Sequence, residues 1–194
     1  MKKNFHGTLF LVVGNSGSGK DSIISGLAQN YPSHLKQIYI PKRFITRHPS
    51  EFEKNISITS EEFKKMDKKG NFTLKWHIYD LDYGIPLEIE NYLKNGHPVI
   101  INVSRTIVNE ARERYKNIKV ISIEVPFEIT LQRIKNRKRE NEGLLEERIV
   151  RARKMQKFPE ADYIIDNSGD LDYAINEALN YILRVINEKE EEKI

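Results

Sequence analysis

The segment Gly14-Asn15-Ser16-Gly17-Ser18-Gly19-Lys20 constrains this chain more than any other. It follows an apolar, β-forming run from Thr8 to Val13. It precedes Lys20 to Gln29, where Ile23, Ile24, Leu27 and Ala28 recur at helical spacing. A buried strand, a glycine-rich turn and a helix in immediate succession make the phosphate-loop arrangement. Glycines let the backbone wrap until successive N–H groups point at one anion, and the helix N-terminus and Lys20 add positive charge at the same place. The expected occupant is the phosphate chain of ATP or GTP, held by Gly14, Asn15, Ser16, Gly17, Ser18, Gly19 and Lys20.

The position after Lys20 departs from the usual pattern. A serine or threonine hydroxyl normally stands there as a magnesium ligand, and this chain has Asp21 with Ser22 behind it. A carboxylate so near the phosphates repels them unless a cation lies between, so Asp21, with Ser22, is expected to hold Mg2+ directly or through its waters. The buried run Pro98 to Val103 carries Asn102 where an acidic residue often ends such a strand. Asp21 then supplies the missing negative charge.

Along the rest of the chain, strands and helices alternate. β-formers return from Gln37 to Arg47, broken by Pro41, and a short helix opens at Ser60-Glu61-Glu62-Phe63 and stops near Gly70. Asn71 to Ile78 reads as a strand, and Pro86 stands in the first turn of a helix over Leu87 to Leu93. The strand Pro98 to Val103 follows, then a helix capped by Ser104. A strand over Ile118 to Val125 leads to a helix from Pro126 to about Lys138, and a second charged helix runs to about Lys157. Ala161 to Asp166 is the last strand. The closing helix sets Leu171, Ile175, Leu179, Ile182 and Ile186 on one face. This alternation predicts an α/β fold with a parallel sheet covered on both sides.

Composition removes whole classes of function. Among 194 residues there is no cysteine, so there is no disulfide framework, thiolate metal site or cysteine nucleophile, as suits a reducing, cytoplasmic setting. The net charge of +4 comes from both signs spread along the whole length, which does not call for nucleic acid. Met1-Lys2-Lys3 before an apolar run imitates a signal peptide, but the run is short and leads into the glycine turn. No stretch reaches the roughly 18 apolar residues of a membrane span. Monomer and homodimer are both left open.

The loop, Arg43-Phe44-Ile45-Thr46-Arg47, and the later Glu53, Ser60 and Phe63 together resemble the guanylate kinase group of nucleoside monophosphate kinases. In detail the chain is more similar to the ribose 1,5-bisphosphate phosphokinases, which make 5-phosphoribosyl 1-diphosphate (PRPP) in phosphonate breakdown. Gly19-Lys20-Asp21-Ser22, Arg43-Phe44-Ile45-Thr46-Arg47, Trp76-His77 followed by Tyr83-Gly84, and Asn102-Val103-Ser104-Arg105, with Arg137 to Asn141 further on, carry that likeness. The resemblance implies a three-layer P-loop kinase with a central parallel sheet. Its core is expected at about 1–36, 98–130 and 159–194, a small acceptor-binding region at about 37–97 and a helical lid at about 131–158. It further implies ATP as donor, Mg2+, and a phosphorylated sugar as acceptor.

A guanine pocket needs a hydroxyl and carboxylates to pair the purine edge, because a buried edge left unpaired costs kilocalories. Here Arg43 stands for a pocket serine, Ser50 for a phosphate-binding arginine, and Trp76-His77 near the guanine-reading glutamate. Such a pocket suits more phosphate and no base. Arg43, Arg47 and Arg105 are the expected phosphate forks, with Tyr83 donating its hydroxyl and Glu53, His77 and Asn102 nearby. Arg133 and Arg137 lie four apart, Arg148 and Arg151 three apart; Lys20, Arg137 and Arg148 are the expected catalytic cations, with Arg133 and Asn167 on the nucleotide. Two alternatives stand beside this one: a guanylate or other nucleoside monophosphate kinase, and an inactive guanylate-kinase-like module that binds phosphorylated protein segments.

Overall fold

The computed structural model describes residues 1–48, 55–136 and 142–191. Ser50, Glu53 and Arg137 lie outside the described residues. The chain forms two compact units, one of residues 1–9 and 38–118, the other of residues 10–37 and 119–194.

The second unit is built on β1 (Leu9–Gly14), β7 (Ile118–Glu124) and β8 (Tyr163–Asp166), neighbours in that order. β7 and β8 run parallel, with Ile121 opposite Tyr163 and Glu124 opposite Asp166. Leu9 through Val13 are all buried, the pattern of a strand covered on both faces. Helix α1 (Lys20–Asn30) packs on α7 (Leu171–Glu191), and the approach is close because Gly26 has no side chain: a Cβ there would stand 2.3 Å from Ile175. Ala174, Ile175, Ala178, Tyr181, Ile182 and Val185 form the buried stripe of α7. Leu171, expected on that stripe, is exposed at the first residue of the helix. Helices α5 (Phe127–Asn136) and α6 (Glu142–Lys154) pack on each other.

The first unit holds a second sheet ordered β3-β2-β5-β4, from β2 (Phe44–Ile45), β3 (Ile56–Ser57), β4 (Phe72–Ile78) and β5 (Leu81–Pro86). Two differences from the sequence reading arise here. Of the stretch Gln37 to Arg47 only Phe44–Ile45 is strand. Pro86 ends β5 instead of starting a helix; lacking an N–H, it suits a strand terminus, and α3 begins later, at Ile89–Lys94. Helix α2 (Ser60–Lys68) is capped by Thr59, which forms a capping box with Glu62. Gly84 of β5 leaves room for the Phe72 ring, which a Cβ would meet at 2.6 Å, and Phe72 in turn packs against Phe44 and Phe63. The strand β6 (Val99–Asn102) accompanies the start of β1, where the Val99 N–H donates to the Thr8 carbonyl. A 3-10 turn (Arg105–Ile107), capped by Ser104, then leads into α4 (Val108–Arg114).

The β4–β5 hairpin turns on Tyr79 and Asp80, both left-handed, with φ of 54° and 55°. A two-residue turn of this hand favours Asn-Gly, because a Cβ in this region costs roughly 1–2 kcal/mol. Asp80 is fully exposed, so Asp80→Gly removes that strain and little else. After the entropy cost of glycine, its melting midpoint is expected to rise by about 1–3 °C. Calorimetry checks this; a lower midpoint would show that the aspartate stabilises the turn.

Candidate active site

The phosphate loop lies in the second unit. Gly14, Gly17 and Gly19 all have positive φ, at 152°, 84° and 89°, which bends the chain back over the start of α1. No side chain caps that helix, so its first N–H groups face the loop. The Lys20 ammonium donates to the carbonyls of Gly14 (2.9 Å) and Asn15 (2.8 Å), which hold it across the loop. Beneath the loop, the buried Asn167 side chain donates to the Ser18 carbonyl at 2.8 Å, and the Arg133 guanidinium donates to the Asn167 carbonyl at 3.1 Å. A Cβ on Gly19 would lie 2.2 Å from the Asn167 amide nitrogen, so glycine is the only residue that admits this brace. Among the described residues the buried Ser18 hydroxyl makes no hydrogen bond.

Arg148 of α6 reaches the loop, where one guanidinium nitrogen stands 3.4 Å from the Ser16 hydroxyl. Lys20, Arg133, Arg148, Asn167 and the glycines are thus brought together. Asp21 and Ser22 are exposed in the first turn of α1. Among the described residues no three acidic or histidine side chains gather into a metal cage. This donor set fits a magnesium that brings most of its own ligands as water and phosphate oxygens.

The arginines expected to meet the acceptor phosphates lie in the first unit. Arg43 is fixed at two points: its Nε donates to the Asn55 side chain at 3.2 Å and one terminal nitrogen to the Asn102 carbonyl at 3.0 Å. Among the described residues Nη2 makes no further bond, leaving a pre-set donor for an anion. Arg105, 8% exposed, opens the 3-10 turn three residues past Asn102. Arg47 is half-buried just beyond β2. Tyr83 pairs with Ile45 across the sheet and stacks flat on Trp76, ring centroids 5.0 Å apart. His77 lies elsewhere. It is exposed, with Nδ1 2.8 Å from Asp82, and strand alternation puts that pair on the face opposite Trp76 and Tyr83.

Asn55, Trp76 as the platform for Tyr83, and the side chain of Asn15 escaped the sequence reading. The first has no local signal at all, since it meets Arg43 only through the fold.

The guanylate kinase family model matches residues 6–186. The chain belongs to the guanylate kinase family. Within it, the chain is 36% identical to the ribose 1,5-bisphosphate phosphokinase PhnN of Bradyrhizobium diazoefficiens, over 86% of this chain and 83% of that protein. It is also 36% identical to the ribose 1,5-bisphosphate phosphokinase PhnN of Pectobacterium parmentieri, over 87% and 89%. The crystal structure of guanylate kinase from Anaplasma phagocytophilum superposes with a TM-score of 0.65 at 16% identity, over 95% of this chain and 88% of that one. The resemblance and the α/β fold expected from the sequence therefore hold. No helix among the described residues is long and apolar enough to cross a membrane.

Proposed function

We propose that this member of the guanylate kinase family transfers the γ-phosphoryl group of ATP to the 1-phosphate of ribose 1,5-bisphosphate, giving PRPP and ADP. The observation that carries this reading is the shared name of relatives that match more than four fifths of both chains. The twice-anchored Arg43 supports it, because a guanidinium fixed at that point can donate to a phosphate oxygen but offers no acceptor for the N1–H and N2–H of a guanine.

In the reaction an oxygen of the 1-phosphate forms a bond to the γ-phosphorus while the bond from that phosphorus to the bridging oxygen of ADP breaks. The nucleophile is already anionic near neutral pH, so no general base is required. Catalysis reduces to positioning and to neutralising the charge that develops. In the donor half, the loop N–H groups and Lys20 hold the β and γ phosphates, Arg148 adds charge beside Ser16, and Arg133 with Asn167 keeps the loop in shape. Arg137 belongs to the same set of cations. Asp21 and Ser22 would hold Mg2+ directly or through its waters, and the ion would add neutralisation of the phosphate charge. In the acceptor half, Arg43, Arg47 and Arg105 take the sugar phosphates and Tyr83 donates a hydroxyl hydrogen bond, with Glu53 and Asn102 orienting. The acceptor region at about 37–97 and the lid at about 131–158 are part of the same proposal, as is a cytoplasmic setting.

ADP release measured with ribose 1,5-bisphosphate, ribose 5-phosphate, GMP and AMP tests the reading. Turnover with the bisphosphate alone is expected, and turnover with GMP alone would overturn it in favour of a nucleoside monophosphate kinase. Asp21→Ser tests the metal role. If Asp21 orients the ion or its waters, the Mg2+ concentration for half-maximal turnover shifts by about tenfold; an unchanged titration would remove Asp21 from that role.

A further inference from the structure

Asn15 does more than occupy a place in the phosphate loop. Its side-chain amide donates two hydrogen bonds to the carboxyl end of α6, to the carbonyls of Ala152 (3.2 Å) and Met155 (2.9 Å). The last carbonyls of a helix have no partner within it, so a donor delivered from outside acts as a cap. Here the cap comes from 137 residues away in sequence. The same residue's carbonyl accepts from the Lys20 ammonium (2.8 Å) and from the Ser18 N–H (3.1 Å). One turn before Ala152 on the same helix stands Arg148, whose guanidinium lies at the Ser16 hydroxyl. Loop and helix are thereby joined at two adjacent points, and Asn15 touches both the lysine and the helix that carries the arginine.

We propose that Asn15 is a positioning residue: its amide fixes the register of α6 against the loop, so that Arg148 is delivered to the bound triphosphate. The sign of the interaction is specific. An amide donates to the two carbonyls, whereas a carboxylate of nearly equal shape would set a negative charge against them and against the negative end of the helix dipole. Removal of the donor therefore weakens the join, and its replacement by aspartate weakens it further.

The inference rests on the kinase reading only in taking the loop as the seat of ATP, so its test uses no acceptor. Full-length wild type, Asn15→Ala, Asn15→Asp, Arg148→Ala and the Asn15→Ala/Arg148→Ala double variant are compared by amide hydrogen exchange over residues 148–157 and by ATP titration with Mg2+. Two lost hydrogen bonds predict exchange in the last turn of α6 faster by on the order of tenfold in Asn15→Ala, and faster again in Asn15→Asp. ATP affinity should fall in the same order. Because Asn15 acts through Arg148, the double variant should bind ATP no more weakly than Arg148→Ala alone. Wild-type exchange in Asn15→Ala, equal effects of alanine and aspartate, or losses that multiply in the double variant would each overturn the proposal. Should Asn15→Ala fail to fold, Asn15→Ser carries the same comparisons, and wild-type exchange there would overturn it equally. A wrong acceptor leaves these results untouched, and a wrong role for Asn15 leaves turnover with ribose 1,5-bisphosphate intact.

Discussion

Replacement of Lys20 by alanine is expected to lower kcat/KM by about 10³-fold or more while shifting the melting midpoint by only about 2–4 °C. The two effects separate because the ammonium does different work in folding and in turnover. In the protein as it stands, Lys20 bonds the carbonyls of Gly14 and Asn15. Those carbonyls belong to an incompletely buried loop and can turn to water, so their loss costs only about 1 kcal/mol. In the proposed transfer the same ammonium would face charge that grows between the β and γ phosphorus atoms, where no rearranging water can replace it. Lys20→Arg should recover little, because a planar fork cannot take the place of a compact ammonium inside a loop this tight. Steady-state kinetics beside a thermal melt read both quantities. Activity within tenfold of wild type in Lys20→Ala would leave the loop without its assigned role.

The donor half was legible in the sequence because its chemistry is local. Strand, glycines, lysine and helix lie within about twenty consecutive residues, and each glycine of the loop is required by backbone geometry alone. Arg148 and Asn167 could be named only through the family resemblance, and what Asn167 does was hidden: its amide braces the Ser18 carbonyl from 149 residues away. The small sheet of the first unit was the least legible element. Its strands β2 and β3 are two residues long, too short for any periodicity, and β5 ends in a proline that reads equally as the start of a helix. With β5 missed, the faces of the hairpin could not be assigned. His77 and Tyr83 were therefore placed together, although the observed register turns them to opposite faces. Arg43 was legible as a residue type, while its fixed orientation depends on Asn55 and Asn102, which the sequence does not connect to it.

Away from these residues, Glu90 should carry the largest single share of polar stability in the first unit. One of its carboxylate oxygens accepts from the Lys3 ammonium (2.6 Å), the Thr73 hydroxyl (2.9 Å) and the Tyr115 hydroxyl (2.9 Å), and Thr73 and Tyr115 also bond to each other. Burial alone would raise the Glu90 pKa, but the hydrogen bonds from Lys3, Tyr115 and Thr73 outweigh it and hold the carboxyl below its ordinary value of 4.5. Burial likewise pushes the Tyr115 phenol up, so it stays a donor throughout the working range. Glu90→Ala takes the shared acceptor from two buried hydroxyls, leaving them each other and, for Thr73, the Arg114 guanidinium at 3.4 Å, at a cost of about 3 kcal/mol, or a melting midpoint lower by about 6–12 °C. The pH dependence gives a second, independent check. A carboxyl whose folded pKa lies below its unfolded one stabilises fully above the unfolded value and loses that stabilisation as pH falls through the folded value. Wild type should therefore lose stability relative to Glu90→Gln as pH drops below about 4.5, while the difference between them stays constant at higher pH. Denaturant titrations between pH 3 and pH 7, on the order of one per half unit, measure this directly. Parallel acid slopes in the two proteins would mean that Glu90 titrates alike in the folded and unfolded chain, and that its three donors do not favour the charged form.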